Sequence, residues 1–232
     1  MGALSPQRAA LAEGWPVLVT VMVVGIPFGI VARQSGLSPA EIIAMSLFVF
    51  AGASQFAMVQ LFKDGVGWPL VTATVLLINL RHLLMAATLR PYFSGVSTAR
   101  RLGAAFFLTD EAFAMATGWF RRGRTELAYY ATFAVALYVL WNTATVIGML
   151  LGPTIGEPRR LGVDFAITAT FIAIVVLGVR RRSDAVVAVA AALMAAALAY
   201  LGASVIAVVA AGALAPLAAL FFRDREIGRA HV

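Results

Sequence analysis

Residues 75–89 read VLLINLRHLLMAATL, an apolar run that is interrupted by polar side chains. Eleven of these fifteen residues are Val, Leu, Ile, Met or Ala, while Asn79, Arg81 and His82 lie in the middle. A run of this kind is typical of a membrane-spanning helix. An arginine at the centre of a membrane costs roughly 2.5–3.5 kcal/mol on the insertion scale. We therefore expect this helix to be enclosed mostly by protein or to line a wet cavity.

The composition of the whole chain agrees with a membrane protein. Of the 232 residues, 62% are hydrophobic and 12% are charged, whereas soluble domains carry about 25% charged residues. We expect an all-α, polytopic protein that forms one integral domain over residues 1–232 and is surrounded by membrane lipid. The net charge is +7, but basic loops between spans account for it. Because the sequence also has no RNA-binding motif, we expect no binding to nucleic acid.

Apolar runs divide the chain into about eight membrane spans, with seven as the alternative. A span needs about 20 apolar residues to cross roughly 30 Å of hydrocarbon. The run over 184–222 is too long for one span, and we divide it near Gly202. Residues 226–232, EIGRAHV, resemble the translated start of a sequencing adapter, so we assign them no function. The expected spans are 15–32, 41–62, 67–89, 102–119, 127–152, 161–179, 184–200 and 204–222.

The distribution of arginine and lysine separates the two span counts. With eight spans, eleven of the 18 basic residues fall on one side and six on the other, and Arg81 lies within a span. With seven spans, the two sides carry eight and nine basic residues, which favours neither orientation. Cytoplasmic loops carry the excess of basic residues, so the eight-span count places both termini in the cytoplasm.

The predicted fourth span lies within RLGAAFFLTDEAFAMATGWF (101–120) and holds Asp110 and Glu111 near its centre. Arg81 and Asp110 each lie eight residues from the outer end of their span, roughly 12 Å deep at about 1.5 Å per residue. We predict that Arg81 forms a buried ion pair with one of the two acids. The pair either fixes two helices or belongs to a polar site, whose surplus carboxylate binds an ammonium group or a proton.

Other polar residues at membrane depth allow a structural and a functional interpretation. Gly52, Ser54 and Gln55 lie in the middle of the second span, within AGASQ. Transporters often break a helix at such a point and expose its backbone to substrate, while tight packing is the alternative. His82 either titrates near neutral pH or makes a structural hydrogen bond. Asp164 begins the sixth span, where an acid suits the helix dipole or a binding site.

Two kinds of local motif predict helix contacts and helix ends. The pairs Gly25-x-x-x-Gly29 and Gly148-x-x-x-Gly152 predict close helix packing, because small residues let two backbones approach. Ser38-Pro39-Ala40-Glu41 has the pattern of a capping box and predicts a helix start.

Four segments carry a family pattern, and they read PFGIVARQSGLSPAEIIAMSLFVFAGASQF (27–56), INLRHLLMAATLRPYF (78–93), LTDEAFAM (108–115) and GVDFAITATFIAIV (162–175). Together they resemble the AzlC-type branched-chain amino acid permeases, because FAGASQF, NLRH and LTDE are specific in combination. The resemblance implies the large subunit of a two-component exporter, completed by a much smaller membrane protein of the AzlD type. The matching positions are Gly52, Ser54, Gln55, Asn79, Arg81, His82, Asp110, Glu111 and Asp164.

On this interpretation the chain exports Val, Leu or Ile across the bacterial cytoplasmic membrane, driven by the proton gradient and without a cofactor or metal ion. Arg81 binds the substrate carboxylate or holds the acids in place. Asp110 and Glu111 bind the ammonium group or a coupling proton. Hydrogen bonds are expected from Ser54, Gln55 and Asn79, and an apolar pocket from Phe56, Met58 and Phe113.

Two other classes of function are alternatives to transport. One is a membrane subunit that assembles or regulates another protein without transporting anything. The other is a membrane-embedded enzyme, against which the sequence offers neither an H-E-x-x-H nor a G-x-S-x-G motif. We therefore expect a non-enzymatic protein.

Overall fold

The computed structural model describes residues 4–155 and 182–201. Within these ranges every regular element is a helix, which confirms the all-α fold class. Asp164 and the predicted spans over 161–179 and 204–222 lie outside the described residues. The count of eight spans therefore stays a prediction.

The described helices are α1 (Pro6–Gln34), α2 (Pro39–Phe48), α3 (Gly52–Lys63), α4 (Trp68–Asn79), α5 (Arg81–Leu89), a 3-10 turn (Arg90–Phe93), α6 (Thr98–Phe106), α7 (Asp110–Arg121), α8 (Leu127–Leu151) and α9 (Arg182–Tyr200). They fall into two compact units. The first unit contains α1–α3 and α5–α8, and the second contains α4 and α9.

Three helical stretches of the described chain are long and apolar enough to cross a membrane: Pro6–Gln34, Trp68–Phe93 and Leu127–Leu151. The second and fourth predicted spans are each divided instead into two shorter helices. In the second span, α2 ends at Phe48 and α3 begins at Gly52. In the fourth span, α6 ends at Phe106 and α7 begins at Asp110.

Close packing of α1 against α8 forms the centre of the first unit. A Cβ atom added at Gly29 would collide with the carbonyl oxygen of Thr145, and one added at Gly148 would collide with that of Ile26. Gly25 meets the Ala144 side chain in the same way. The glycine motifs therefore do allow the backbones to approach, as predicted. This contact positions the aromatic residues of α8 beside the break between α2 and α3 and the break between α6 and α7.

The predicted third span corresponds to the helical stretch Trp68–Phe93. Its two helices, α4 and α5, are separated only by Leu80, which keeps right-handed helical dihedral angles. On α5, the side chains of Leu83 and Leu84 are 67% and 73% exposed. Met85 and Leu89 on the same helix are buried, so the described residues cover only part of α5. The expectation that the span is enclosed by protein or lines a wet cavity stays a prediction.

Polar contacts fix the ends of the first unit's helices. The Ser38 backbone N–H donates to the Glu41 carboxylate over 2.8 Å, and the Glu41 N–H donates to the Ser38 hydroxyl, which confirms the capping box. At the start of α1, Glu13 forms an ion pair of 2.6 Å with Arg122 of the α7–α8 loop. The Tyr129 hydroxyl of α8 also donates to Glu13, over 2.9 Å. These bonds tie α1 to the α7–α8 hairpin at one end.

Candidate functional site

The chain leaves the helical conformation at Val49–Ala51, in the middle of the predicted second span. Phe50 has a φ of +39°, a left-handed value that is uncommon for a residue with a side chain. Ala51 is extended and forms the N-cap of α3. Of the two alternatives for AGASQ, the structure thus shows the helix break, just before Gly52.

The two helix ends at this first break differ in how their backbone groups are satisfied. The Tyr138 hydroxyl of α8 donates to the carbonyl of Leu47, near the end of α2, over 3.1 Å. The Ala51 carbonyl accepts from the Gln55 N–H and from the Ser54 hydroxyl, both over 2.9 Å. Ala51 has no side chain that could cap α3. Within the described residues, no acceptor meets the backbone N–H groups of residues 52–54.

Gln55 and Trp141 are buried beside this break with unpaired polar atoms. Gln55 is fully buried, and neither its amide nitrogen nor its amide oxygen has a hydrogen-bond partner in the described structure. The indole nitrogen of Trp141 is likewise unpaired, although only 6% of the residue is exposed. A Cβ atom at Gly52 would lie 3.2 Å from Cη2 of Trp141. The indole ring therefore packs directly against the first residue of α3.

A second break at Phe107–Thr109 divides the predicted fourth span. The Thr109 hydroxyl accepts from the Ala112 N–H over 3.2 Å and caps α7. Asp110 and Glu111 occupy the first turn of α7. The expectation that they lie within a continuous helix was therefore wrong. At a helix start, the partial positive charge of the backbone stabilises both carboxylates.

Arg81 and Asp110 form the predicted ion pair, with Nη1 and Oδ2 separated by 2.7 Å. The pair joins the start of α5 to the start of α7. The side chains of Arg81 and Asp110 are 30% and 49% exposed. The expectation of a buried pair was therefore wrong in the described part of the chain. Glu111 is exposed and makes no ion pair with a described residue. The site thus holds one acid that is neutralised by arginine and one that is not.

Asn79 and His82 lie next to this pair along the chain. Nδ1 of His82 lies 3.0 Å from the backbone carbonyl oxygen of Asn79, which fits the structural interpretation of this histidine. The side-chain oxygen of Asn79 is buried and has no partner in the described structure.

Tyr138 of α8 brings the two breaks together. Its ring lies 4.8 Å from the ring of Phe50 at the first break and 5.2 Å from that of Phe107 at the second, both edge to face. Two of the predicted groups of polar residues therefore flank one side chain. Gly52, Ser54 and Gln55 belong to the first break, while Asp110 and Glu111 belong to the second, with Arg81 paired to it.

Sequence reasoning missed Tyr138 and Trp141. A phenol and an indole in the middle of an apolar span were a usable signal, because buried Tyr and Trp need hydrogen-bond partners. Their position at the breaks depends on the glycine contact between α1 and α8. In the parts of the chain that the structure describes, no cluster of three or more His, Asp or Glu residues is placed to hold a metal ion.

The chain is similar in sequence to known membrane proteins. The family model described as AzlC protein matches residues 16–155, which include both breaks and the ion pair. An uncharacterized membrane protein from Archaeoglobus fulgidus is 30% identical over 183 residues, covering 75% of this chain and 77% of that protein. No solved structure matches the chain significantly.

Two other relatives carry more specific names. The inner membrane protein YgaZ of Escherichia coli K12 is 27% identical, over 78% of each chain. The branched-chain amino acid transport protein AzlC of Bacillus subtilis 168 is 24% identical, over 72% of this chain and 65% of its own length. The match of the family model over more than half of the sequence settles the classification. This chain is a membrane protein of the AzlC family.

Proposed function

We propose that this chain is the large subunit of a secondary transporter that exports branched-chain amino acids. Membership of the AzlC family supports a role in transport in general. The name of the Bacillus subtilis relative supports the substrate class. Export, coupling to the proton gradient and a small AzlD-type partner are the more specific parts of the proposal. So are the bacterial cytoplasmic membrane as its location and the cytoplasmic side for both termini.

The observation that carries the proposal is the meeting of two broken helices at Tyr138. Breaks in membrane helices expose backbone groups, and they are tolerated only where protein or a water-filled cavity surrounds them. Secondary transporters commonly form substrate sites from such half-helices. One break here has open N–H donors and the other has carboxylates. This combination is suited to a zwitterion.

The ion-pair geometry assigns different roles to the charged residues. Arg81 already binds Asp110, so we propose that it holds this acid in place and does not bind the substrate carboxylate. Glu111 is the surplus acid, which receives the substrate ammonium group or a coupling proton. Asn79 and His82 lie beside the pair and help to position it. Asp164 belongs to the proposed site through the family pattern alone.

Efflux of isotope-labelled leucine from preloaded cells tests this function. Cells that express the chain together with a small AzlD-type protein should lose leucine faster than cells with an empty vector. The chain alone should export less, and a protonophore should abolish the difference. If neither combination exceeds the empty vector, the transport proposal is wrong and a non-transporting assembly subunit is favoured.

An arginine variant tests the site within the same assay. Arg81→Ala should reach the membrane but export leucine at least about tenfold more slowly, because Asp110 loses the partner that holds it in place. Arg100→Ala is the matched control, since Arg100 is exposed on α6. Normal efflux by a membrane-inserted Arg81→Ala variant would contradict the proposed role of the pair.

A further inference from the structure

We infer that the start of α3, together with the side chains of Gln55 and Trp141, binds the carboxylate group of the transported amino acid. The inference rests on the proposed function and adds to it the part of the site that recognises the substrate's negative end. It moves that role away from Arg81, whose guanidinium group is already paired with Asp110.

Unpaired polar atoms mark this place in the described structure. Five buried side-chain atoms have no hydrogen-bond partner there, and three of them belong to Gln55 and Trp141. Buried polar groups in native proteins are nearly always hydrogen-bonded, so each exception needs an explanation. A ligand with acceptor atoms would supply partners for the two unpaired nitrogen donors, the amide nitrogen of Gln55 and the indole nitrogen of Trp141.

The position of Gln55 on α3 places its side chain beside the open end of the helix. Gln55 lies in the first turn of α3, and helical side chains lean back over residues three and four positions earlier. Those residues are Gly52 and Ala51, at the break itself. The six-membered carbon ring of Trp141 packs against Gly52 from α8. Both side chains thus border the helix start.

The chemistry of the open groups selects an anion. The backbone N–H groups of residues 52–54, the indole N–H of Trp141 and the amide of Gln55 are hydrogen-bond donors. A helix start also carries a partial positive charge. The first turn of α3 has no acidic residue of its own. Two carbonyls of the break, those of Leu47 and Ala51, already accept hydrogen bonds.

The second break supplies groups of the opposite charge in the same compact unit. Asp110 and Glu111 start α7, and Phe107 beside them shares the Tyr138 ring with Phe50 of the first break. We therefore assign the carboxylate end of the substrate to α3 and its ammonium end to the acidic side of the site.

The inference is tested by the binding of leucine, and of analogues that each lack one charged group, to the purified full-length chain. The probes are L-leucine, L-leucinol, which lacks the carboxylate, and isovalerate, which lacks the ammonium group and is one methylene shorter than leucine. Affinity is measured by titration calorimetry in detergent micelles. The wild type should bind leucine and isovalerate more tightly than leucinol. Gln55→Met should weaken the binding of leucine and isovalerate about tenfold, the value of one hydrogen bond to a charged group. The affinity for leucinol should stay unchanged.

A matched variant and a stability measurement separate binding from folding. Gln60→Met makes the same substitution on the exposed side of α3 and should bind all three probes like the wild type. Without ligand, Gln55→Met should melt at or above the wild-type temperature, because it removes unpaired buried atoms. Trp141→Phe is the second binding variant and should also weaken the binding of isovalerate.

The outcomes distinguish this inference from the transport proposal. If the wild type binds leucine but Gln55→Met and Trp141→Phe bind leucine and isovalerate equally well, the carboxylate site is wrong and the transport proposal stands. If the wild type binds isovalerate in a manner that depends on Gln55 but does not bind leucine, the carboxylate site stands and the amino acid substrate is wrong.

Discussion

The two helix breaks share a construction but differ in what fills the start of the second helix. At each break, a tyrosine of α8 donates to a carbonyl near the end of the preceding helix, Tyr138 to Leu47 over 3.1 Å and Tyr130 to Ala104 over 2.6 Å. The start of α7 is capped by Thr109 and followed by two acids. The start of α3 has an alanine cap and no acid.

This difference shows how one protein can use the same backbone feature for opposite purposes. A helix start that carries its own carboxylates has satisfied its partial positive charge and presents negative charge to its surroundings. A helix start without them retains free donors for an anion. We therefore regard α7 as the acidic side of the proposed site and α3 as its anion-binding side. Substitutions that exchange or remove the acids of α7 and the open donors of α3 should therefore distinguish the two sides.

The largest effect is expected when α3 receives an acid of its own. Ala53 occupies in α3 the position that Glu111 occupies in α7, and Ala53→Asp would place a carboxylate at the open donors. Like charges brought together cost several kcal/mol, so leucine affinity should fall by about 100-fold or more. Titration calorimetry with leucine measures the loss. Ala53→Asn is the matched neutral control, and equal affinities for the Asp and Asn variants would show that α3 does not bind the carboxylate.

The second prediction removes the charge pair at the other break. Arg81→Gln leaves Asp110 without its partner and should lower the free energy of unfolding by about 1–3 kcal/mol, between the values for exposed and buried pairs. The double variant Arg81→Gln, Asp110→Asn should recover most of this loss. Denaturation in mixed micelles measures both, with Arg100→Gln as control. A double variant no more stable than the single one would argue against a direct pair.

The sequence predicted the first break better than the second, for a local reason. Gly52, Ser54 and Gln55 are poorly suited to the middle of an apolar span, so AGASQ drew attention to a break. The signal at the second break was equally present, because Thr109 before Asp110 and Glu111 is a typical helix start. The predicted span was long enough without a break, and hydropathy counting therefore joined α6 to α7.

Depth counting limited the partner of Arg81 to Asp110 or Glu111, but no count along the chain could predict the exposure of the pair. The exposed fraction depends on which helices cover the pair, and that is a tertiary property. The unpaired amide of Gln55 is a similar case. It depends on the absence of a nearby partner and on the approach of Trp141 from α8, which the glycine contacts of α1 permit.

The third prediction compares one glycine from each of the two half-helices. Gly52→Ala places a Cβ atom 3.2 Å from Cη2 of Trp141, and this crowding should lower the free energy of unfolding by about 1 kcal/mol. Gly118 lies within α7 with no atom in contact range of an added Cβ. Gly118→Ala should instead stabilise the protein by about 0.5–1 kcal/mol, because alanine is the better helix former. Equal changes in the two variants would contradict the close approach of Trp141 to α3.

The smallest effect is expected in the coupling between the two tyrosine hydroxyls, and it tests whether the breaks act together. Tyr130→Phe and Tyr138→Phe each remove one hydrogen bond and should each cost about 0.5–1.5 kcal/mol of unfolding free energy. The Tyr138 ring also contacts Phe106 at the end of α6, the helix whose Ala104 carbonyl Tyr130 holds. Removal of either hydroxyl should therefore loosen the support of the other. A double-mutant cycle should give a coupling of about 0.5 kcal/mol or more, whereas strictly additive losses would mean that the two breaks are held independently.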